Sequence, residues 1–203
     1  MMTLEQHGPD TYVGVGPSYP WGGLYGGQIV AQALRAASLT VPEEFRVHSL
    51  HAYFIRLGDA SEPIRFEVDR LRNGRTFAAR NVVVRQAVGA IFNLEVSFQV
   101  SEEGAEVQTA SLGEVPGAEE LEGVSWSKVF ERRVIPTEGE PGRARAWMRM
   151  VESLGDDERL QACALAYLSD DFPTEAVVTL HPDHRPGGYE DGNFPFWSAS
   201  LDH

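Results

Sequence analysis

Four glycines, Gly22, Gly23, Gly26 and Gly27, lead into an amphipathic stretch that runs from Trp21 to Leu39, WGGLYGGQIVAQALRAASL. The unpaired N–H groups of a helix's first turn can donate to an oxygen, and glycine lets a ligand or a second backbone come close. Gly26, Gly27 and Gln28 are therefore candidate substrate-binding residues, with tight packing of the helix on a sheet as the other reading of the same glycines. His48 is a further candidate, as a base or as a hydrogen-bonded histidine of the core or an interface. His48 and His51 stand three apart on a predicted strand and so point to opposite faces, which is wrong for holding one metal. His181 and His184 share a loop with no cysteine or further ligand beside them, and no metal site or cofactor is expected. Cys163 is the single cysteine, which excludes an internal disulfide; its apolar neighbours at helical spacing read as core, not as a nucleophile's surroundings. Arg65, Arg70, Arg72, Arg75, Arg80 and Arg85 gather about one predicted hairpin. They could meet phosphates, yet charges on the open face of a sheet need no ligand.

These residues need a frame to hold them. Ile29, Val30, Ala33, Leu34 and Ala37 fall on one helical face, while Gln28, Gln32 and Arg35 fall elsewhere, which predicts a helix over 28–38. Val47 to Ile55 is rich enough in aromatic and branched residues to be a strand. Ile64, Phe66 and Val68 alternate with charged residues up to Asn73-Gly74, a hairpin turn signal, and Thr76 to Gln86 returns. After Gly89, Phe92, Leu94, Val96, Phe98 and Val100 alternate with polar residues, so one face of that strand is buried. A helix followed by four strands joined by short turns predicts an antiparallel sheet curled around a single helix, within a unit over 12–103.

Residues 104–123 are acidic and without sustained periodicity, and read as a linker. Beyond them, in a unit over 124–203, Phe130 to Pro136 and Ala144 to Val151 predict two strands about the turn TEGEPGR. A second helix then carries Leu160, Cys163, Ala164, Tyr167 and Leu168 on its apolar face, with Asp156, Asp157 and Glu158 at its start, where the helix dipole favours negative charge. Ala176, Val177 and Leu180 could continue it past Pro173, and Trp197 to His203 begins another strand. The two halves share the order helix, loop, strand, so the second reads as a repeat of the first that lacks its last three strands. On that reading the second helix's apolar face is expected to be exposed or covered by another chain, and the chain is expected to self-associate.

With 17 Lys and Arg against 30 Asp and Glu, the formal charge of −13 argues against nucleic acid or an anionic membrane as partner. A hydrophobic fraction of 42% suits a globular core, no run approaches the ~20 apolar residues of a membrane span, and the polar first residues lack a signal-peptide pattern. The expected compartment is the cytoplasm.

Taken together, GGQIVAQAL, HSLHAYFIRLGD, LRNGRTFAARNV and IFNLEVSFQ, followed by CALAYLSD and SLDH, resemble the acyl-CoA thioesterase II (TesB-like) family in order and spacing. The resemblance implies an α+β double hotdog, two sheets each wrapped on a helix and joined edge to edge, the second unit here being C-terminally incomplete. It implies hydrolysis of fatty acyl-CoA by a water held among an Asp, a Thr or Ser, and a Gln. Asp170 matches the Asp and Ser200 the hydroxyl residue, while the Gln belongs to a strand with no counterpart in these residues; Leu57 stands where the family often has Pro. A thioester carbonyl is electrophilic enough for direct attack by an oriented water, Asp170 accepting its proton, Ser200 holding it, and the N–H groups at Gly26-Gly27 polarising the carbonyl. Acyl-CoA is then the expected partner and a homo-oligomer the expected assembly. Without the Gln and the last strands, little turnover is expected of residues 1–203. The competing readings are a non-catalytic acyl-CoA-binding or assembly protein, or a fragment of a longer thioesterase, and a hotdog enoyl-CoA hydratase, whose Asp/His dyad at the helix start Gly27-Gln28 does not supply.

Overall fold

The computed structural model describes residues 2–17, 19, 21–137, 139–171, 174–178, 180–182 and 199–202. Its centre is helix α1, Gly26–Ser38. Strands β1 (Glu5–Gly8), β2 (Thr11–Gly14), β3 (Phe45–Phe54), β4 (Ile64–Asn73), β5 (Phe77–Gln86) and β6 (Gly89–Val100) form a sheet around it, joined late in the chain by β9 (Ser200–Asp202). The order is β1-β2-β4-β5-β6-β3-β9, and every pairing is antiparallel. The inward residues are those that alternate along each strand, among them Ile64, Phe66, Val82, Val84, Phe92, Leu94 and Phe98, none of which is exposed. Ala31, Ala33, Ala36 and Ala37 are likewise fully buried, and their small side chains let the sheet close tightly on the helix.

The four expected strands are present, with boundaries within a residue or two. Gly74 N–H donates to Phe77 O across the Asn73-Gly74 turn, and Gly89 takes the left-handed φ of 110° that its reversal requires. Two features differ from expectation. The N-terminal hairpin β1–β2 was not legible, because its segments are short and largely polar, yet it extends the sheet beyond β4. Helix α1 begins at Gly26 instead of Gln28, since the glycines themselves form the first turn.

In the second half, β7 (Phe130–Ile135) and β8 (Arg145–Met150) form a separate hairpin. Helix α2, Glu158–Ser169, follows, capped by the Asp157 carboxylate, which accepts from Arg159 N–H at 3.0 Å and Leu160 N–H at 3.2 Å. A separate short helix α3, Glu175–Val178, lies beyond it, so the pattern past Pro173 does not extend α2 as one helix. Residue 173 itself, His184 and most of the loop before β9 lie outside the described residues, as does His203.

Helix α2 packs antiparallel on α1. Arg159, in the first turn of α2, donates to Ser38 O at 3.0 Å and to Pro42 O at the C-terminal end of α1, while Tyr25, at the start of α1, donates to Tyr167 O at 2.9 Å near the end of α2. This overturns the expectation of an exposed second core. Cys163, Ala164, Ala166, Tyr167 and Leu168 are all buried within the chain, because α1 offers them a second face. Gln28 and Gln32 are also completely buried, under the segment that follows β2, where the Tyr19 hydroxyl donates to Gln28 Oε1 and Gln32 Nε2 donates to Val15 O, so α1 has no solvated side at those positions. β9 then pairs with β3 through Tyr53↔Ser200, which continues the first unit's sheet with a strand from the second half. An α+β double hotdog is the architecture.

Candidate active site

The antiparallel packing brings the C-terminal end of α2 onto the N-terminal end of α1. Asp170 is the C-cap residue of α2, and its Oδ2 accepts from Gly27 N–H at 2.7 Å. The carboxylate thus sits where the α1 backbone presents unpaired N–H groups and the positive end of its dipole. Burial nevertheless disfavours the charged form more strongly. The Asp170 carboxyl is pushed up from 3.8 to about 7 by desolvation, the Gly27 N–H pulls it down, and the neighbouring charge of Asp171 adds to the rise. A carboxyl poised near neutrality is suited to general-base work.

Two glycines are demanded by this corner. A Cβ on Gly27 would lie 2.3 Å from Tyr167 O, a backbone atom, and one on Gly26 would lie 2.6 Å from Asp170 Oδ2 and 2.8 Å from the Phe54 ring. Packing of the helix on the sheet, the alternative raised for these glycines, applies at Gly26 against Phe54 of β3, whereas Gly27 is crowded by helix α2. That second helix also gives the Gly27 N–H a carboxylate partner. The N–H groups of Gln28 and Ile29 both turn back to Tyr25 O, at 3.1 and 3.3 Å, so polarisation of a carbonyl by the first turn is left without those three donors.

The other sequence-predicted residues are placed as follows. Gln28 is wholly buried, its Oε1 accepting from the Tyr19 hydroxyl at 2.6 Å and its Nε2 donating to Gln32 at 3.3 Å, so it lies behind Tyr19. Ser200 pairs with Tyr53 and shares its outward face, one residue from Phe54, whose N–H donates to Ala199 O at 2.9 Å. No direct hydrogen bond joins Ser200 to Asp170 among the described residues. His48 sits in the irregularity of β3 between Val47 and Ser49, edge-on to Phe77 and within 3.3 Å of the Ser49 hydroxyl. Six residues from Phe54, it is about 20 Å along the strand from the Gly27–Asp170 corner at ~3.3 Å per residue. Of the six arginines, Arg65 and Arg85 pair with Glu67, Arg70 pairs with Asp10, and Arg80 is buried among neutral oxygens.

Sequence reasoning missed the aromatic wall beside Asp170. Tyr19, Trp21, Tyr25 and Trp126 pack ring on ring with centroids 5.0 to 6.2 Å apart, and Tyr167 and Phe130 extend the cluster. Burial raises the hydroxyls of Tyr19, Tyr25 and Tyr167 above their ordinary value, so these rings stay neutral beside the carboxyl. It missed Asp171 as well, which forms a buried ion pair with Arg132 at 2.8 Å and accepts from Trp126 Nε1–H. Trp126 and Arg132 lie some 40 residues upstream, and nothing local marks them as partners of α2.

A sheet wrapped on a helix, a second helix bearing a carboxylate at the first one's N-terminus and a strand shared between the halves define the hotdog thioesterase class. Residues 16–99 match the acyl-CoA thioesterase N-terminal domain and residues 105–203 the acyl-CoA thioesterase C-terminal domain, and the chain belongs to the acyl-CoA thioesterase family. It is 34% identical over 206 residues to acyl-CoA thioesterase 2 of Haemophilus influenzae, across 89% of this chain and 69% of that one. Among solved structures it resembles the TesB protein of Mycobacterium avium subs. paratuberculosis (38% identity, TM-score 0.74) and acyl-CoA thioesterase II TesB2 of Mycobacterium marinum (35%, 0.72). Each structural match covers 83% of this chain and 66% of the other, so the chain spans about two thirds of their length.

Proposed function

We propose that this protein hydrolyses fatty acyl-CoA to the free acid and CoA by direct attack of water on the thioester carbonyl. The observation that carries this reading is the buried Asp170 carboxyl seated on the Gly27 N–H, with a proton affinity near neutrality. Asp170 takes a proton from the water as its oxygen bonds to the carbonyl carbon; collapse of the tetrahedral adduct then breaks the C–S bond, and the leaving sulfur takes that proton from Asp170, giving CoA and the free acid and restoring the base. Gly27 orients the carboxylate, leaving Oδ1 for the water. Ser200 shares the outward face of Tyr53, opposite the Phe54 ring beside Asp170, and so contributes little to holding that water. His48 and Gln28 act, if on substrate, away from the reacting atoms.

The base must be ionised, so kcat/KM for a fatty acyl-CoA rises with pH through a midpoint near 7. Asp170→Asn lowers it by roughly 10² to 10⁴, the usual cost of losing a general base. Steady-state release of CoA thiol, followed with a thiol reagent for parent and variant, is the test. A variant within a factor of a few of the parent removes Asp170 from the mechanism. Binding of acyl-CoA with no turnover favours the non-catalytic alternative.

The two units over 12–103 and 124–203, with 104–123 between them, are the proposed domain organisation. Between them residues 104–117 carry no helix or strand and Ala118–Glu120 form one 3₁₀ turn. A cytoplasmic role in fatty acid metabolism as a homo-oligomer is proposed on the acidic charge and on a β3–β9 sheet whose edge offers pairing to another copy. No described helix is long and apolar enough to cross a membrane.

A further inference from the structure

The carboxylate next to the proposed base is used quite differently from it. Asp170 and Asp171 follow one another at the end of α2, and consecutive residues there point in different directions, so one can face α1 while the other faces β7. Asp170 takes the Gly27 N–H. The Asp171 side chain is 3% exposed and the residue is held at three points: Arg132 Nη1 of β7 donates to its Oδ2 at 2.8 Å, Trp126 Nε1–H donates to its Oδ1, and its own backbone N–H donates to Leu168 O at 3.1 Å. Arg132 is 14% exposed, so the pair lies largely out of water, where a broken partner is costly and the geometry is correspondingly stiff. Trp126 in turn packs against Tyr19, Trp21, Tyr25 and Phe130. The end of α2 is thereby tied to β7 and to the aromatic wall, independently of its contact with α1.

We infer that Asp171 is a positioning residue: through Arg132 and Trp126 it fixes the last turn of α2 so that the Asp170 carboxyl is seated on the Gly27 N–H, and its charge sets the electrostatics of that seat. This rests on the reading of Asp170 as the general base. A catalytic group displaced by about an ångström can lose on the order of a hundredfold in rate, so an anchor one residue away has direct leverage on turnover. Its charge acts in the same place. Among the described residues, the groups that face the Asp170 carboxyl from the elements packed on it are few. They are Gly27 N–H and the neutral Tyr25 from α1, the uncharged Phe54 ring from β3, and Asp171 from α2, with Arg132 reaching it through Asp171. Replacing the Asp171 carboxylate by an amide removes a like charge and leaves the Arg132 cation behind, and both changes favour ionised Asp170.

The test follows Asp170 itself by carbon NMR of carboxyl-labelled aspartate, its signal assigned by loss in Asp170→Asn, together with the Gly27 amide proton over the same pH range. In the parent the two titrate with one midpoint. In Asp171→Asn the midpoint falls by about half to one pH unit and the Gly27 response shrinks as the seat loosens, whereas Asp171→Glu, which keeps the charge and reaches the same partners, restores most of both. An unchanged midpoint and an unchanged Gly27 response in Asp171→Asn overturn the inference. If Asp171→Asn does not fold, Trp126→Phe, which removes only one donor, is expected to reduce the Gly27 response, and an unaltered response overturns it equally. These readouts do not depend on turnover. A parent protein that shows the coupled titration but releases no CoA sinks the thioesterase reading and leaves the coupling of Asp171 to Asp170 standing.

Discussion

Replacing Asp170 by Asn should stabilise the protein at alkaline pH while abolishing the proposed chemistry. The amide is nearly isosteric and its oxygen can still accept from Gly27 N–H, so the contact at 2.7 Å survives while the cost of burying a charge disappears. Because the folded carboxyl lies above its unfolded value, its contribution to stability is fully present below about pH 3.8 and is lost as pH rises through about 7. At about 1.4 kcal/mol per pH unit, the gap from 3.8 to about 7 sets an upper limit of about 4 kcal/mol on that loss. Asp170 as a residue keeps some exposure around its desolvated carboxyl, and the remaining solvent screening reduces the figure, so a gain of about 2 kcal/mol is expected for the variant at pH 8. At pH 5 less than half of it remains, since the unfolded carboxyl is ionised while folded Asp170 stays protonated, and the cost is then set only by the gap from 3.8 to about pH 5. Urea unfolding of parent and variant at pH 5 and pH 8 measures both differences. A variant less stable than the parent at pH 8, or a gain independent of pH, would refute the account of a desolvated carboxyl.

Gly27→Ala puts a methyl group 2.3 Å from Tyr167 O and has to part the two helices, so a loss of about 1 to 3 kcal/mol is expected, and a melting temperature within 2 °C of the parent by calorimetry would be inconsistent with this packing. Arg80 is 1% exposed and spends its guanidinium on Thr40, Arg72 O, Ala79 O and Asn73, all neutral oxygens that tie β4 and β5 to the end of α1. Arg80→Ala leaves these acceptors unpaired and should cost about 3 kcal/mol or more in denaturant unfolding. Cys163 is fully buried and its thiol is pushed up to about 12, so native protein at pH 8 should react with iodoacetamide at a small fraction of the rate seen in denaturant, and comparable rates would mean that α2 opens from α1. Ser200→Ala is expected to lower acyl-CoA turnover by less than about tenfold, far less than Asp170→Asn, and equal losses would give the serine a primary role.

Local pattern was enough to reveal α1, the strands β3 to β6 and the turns at Asn73-Gly74 and Gly89, because alternation of period two and the helical repeat are set by side chains close in sequence. It was enough to mark Gly26 and Gly27 as special and, through the resemblance of LAYLSD to a known family, to single out Asp170. It did not reveal β1–β2, whose short polar strands have weak alternation, nor what covers α2. The apolar face of Cys163, Ala164, Tyr167 and Leu168 demands a partner, but which surface supplies it depends on how two helices more than a hundred residues apart pack, and that surface is α1. The site has the same origin. Gly27 and Asp170 are separated by 143 positions, and Asp171 by 39 from Arg132, so no spacing along the chain could show that one aspartate would be seated on a helix N-terminus and the next locked to an arginine. The residue types were legible in the sequence. Which carboxylate lost its water, and so became basic enough to serve as the proposed base, was decided by the tertiary packing that excludes solvent from one side chain and pairs its neighbour.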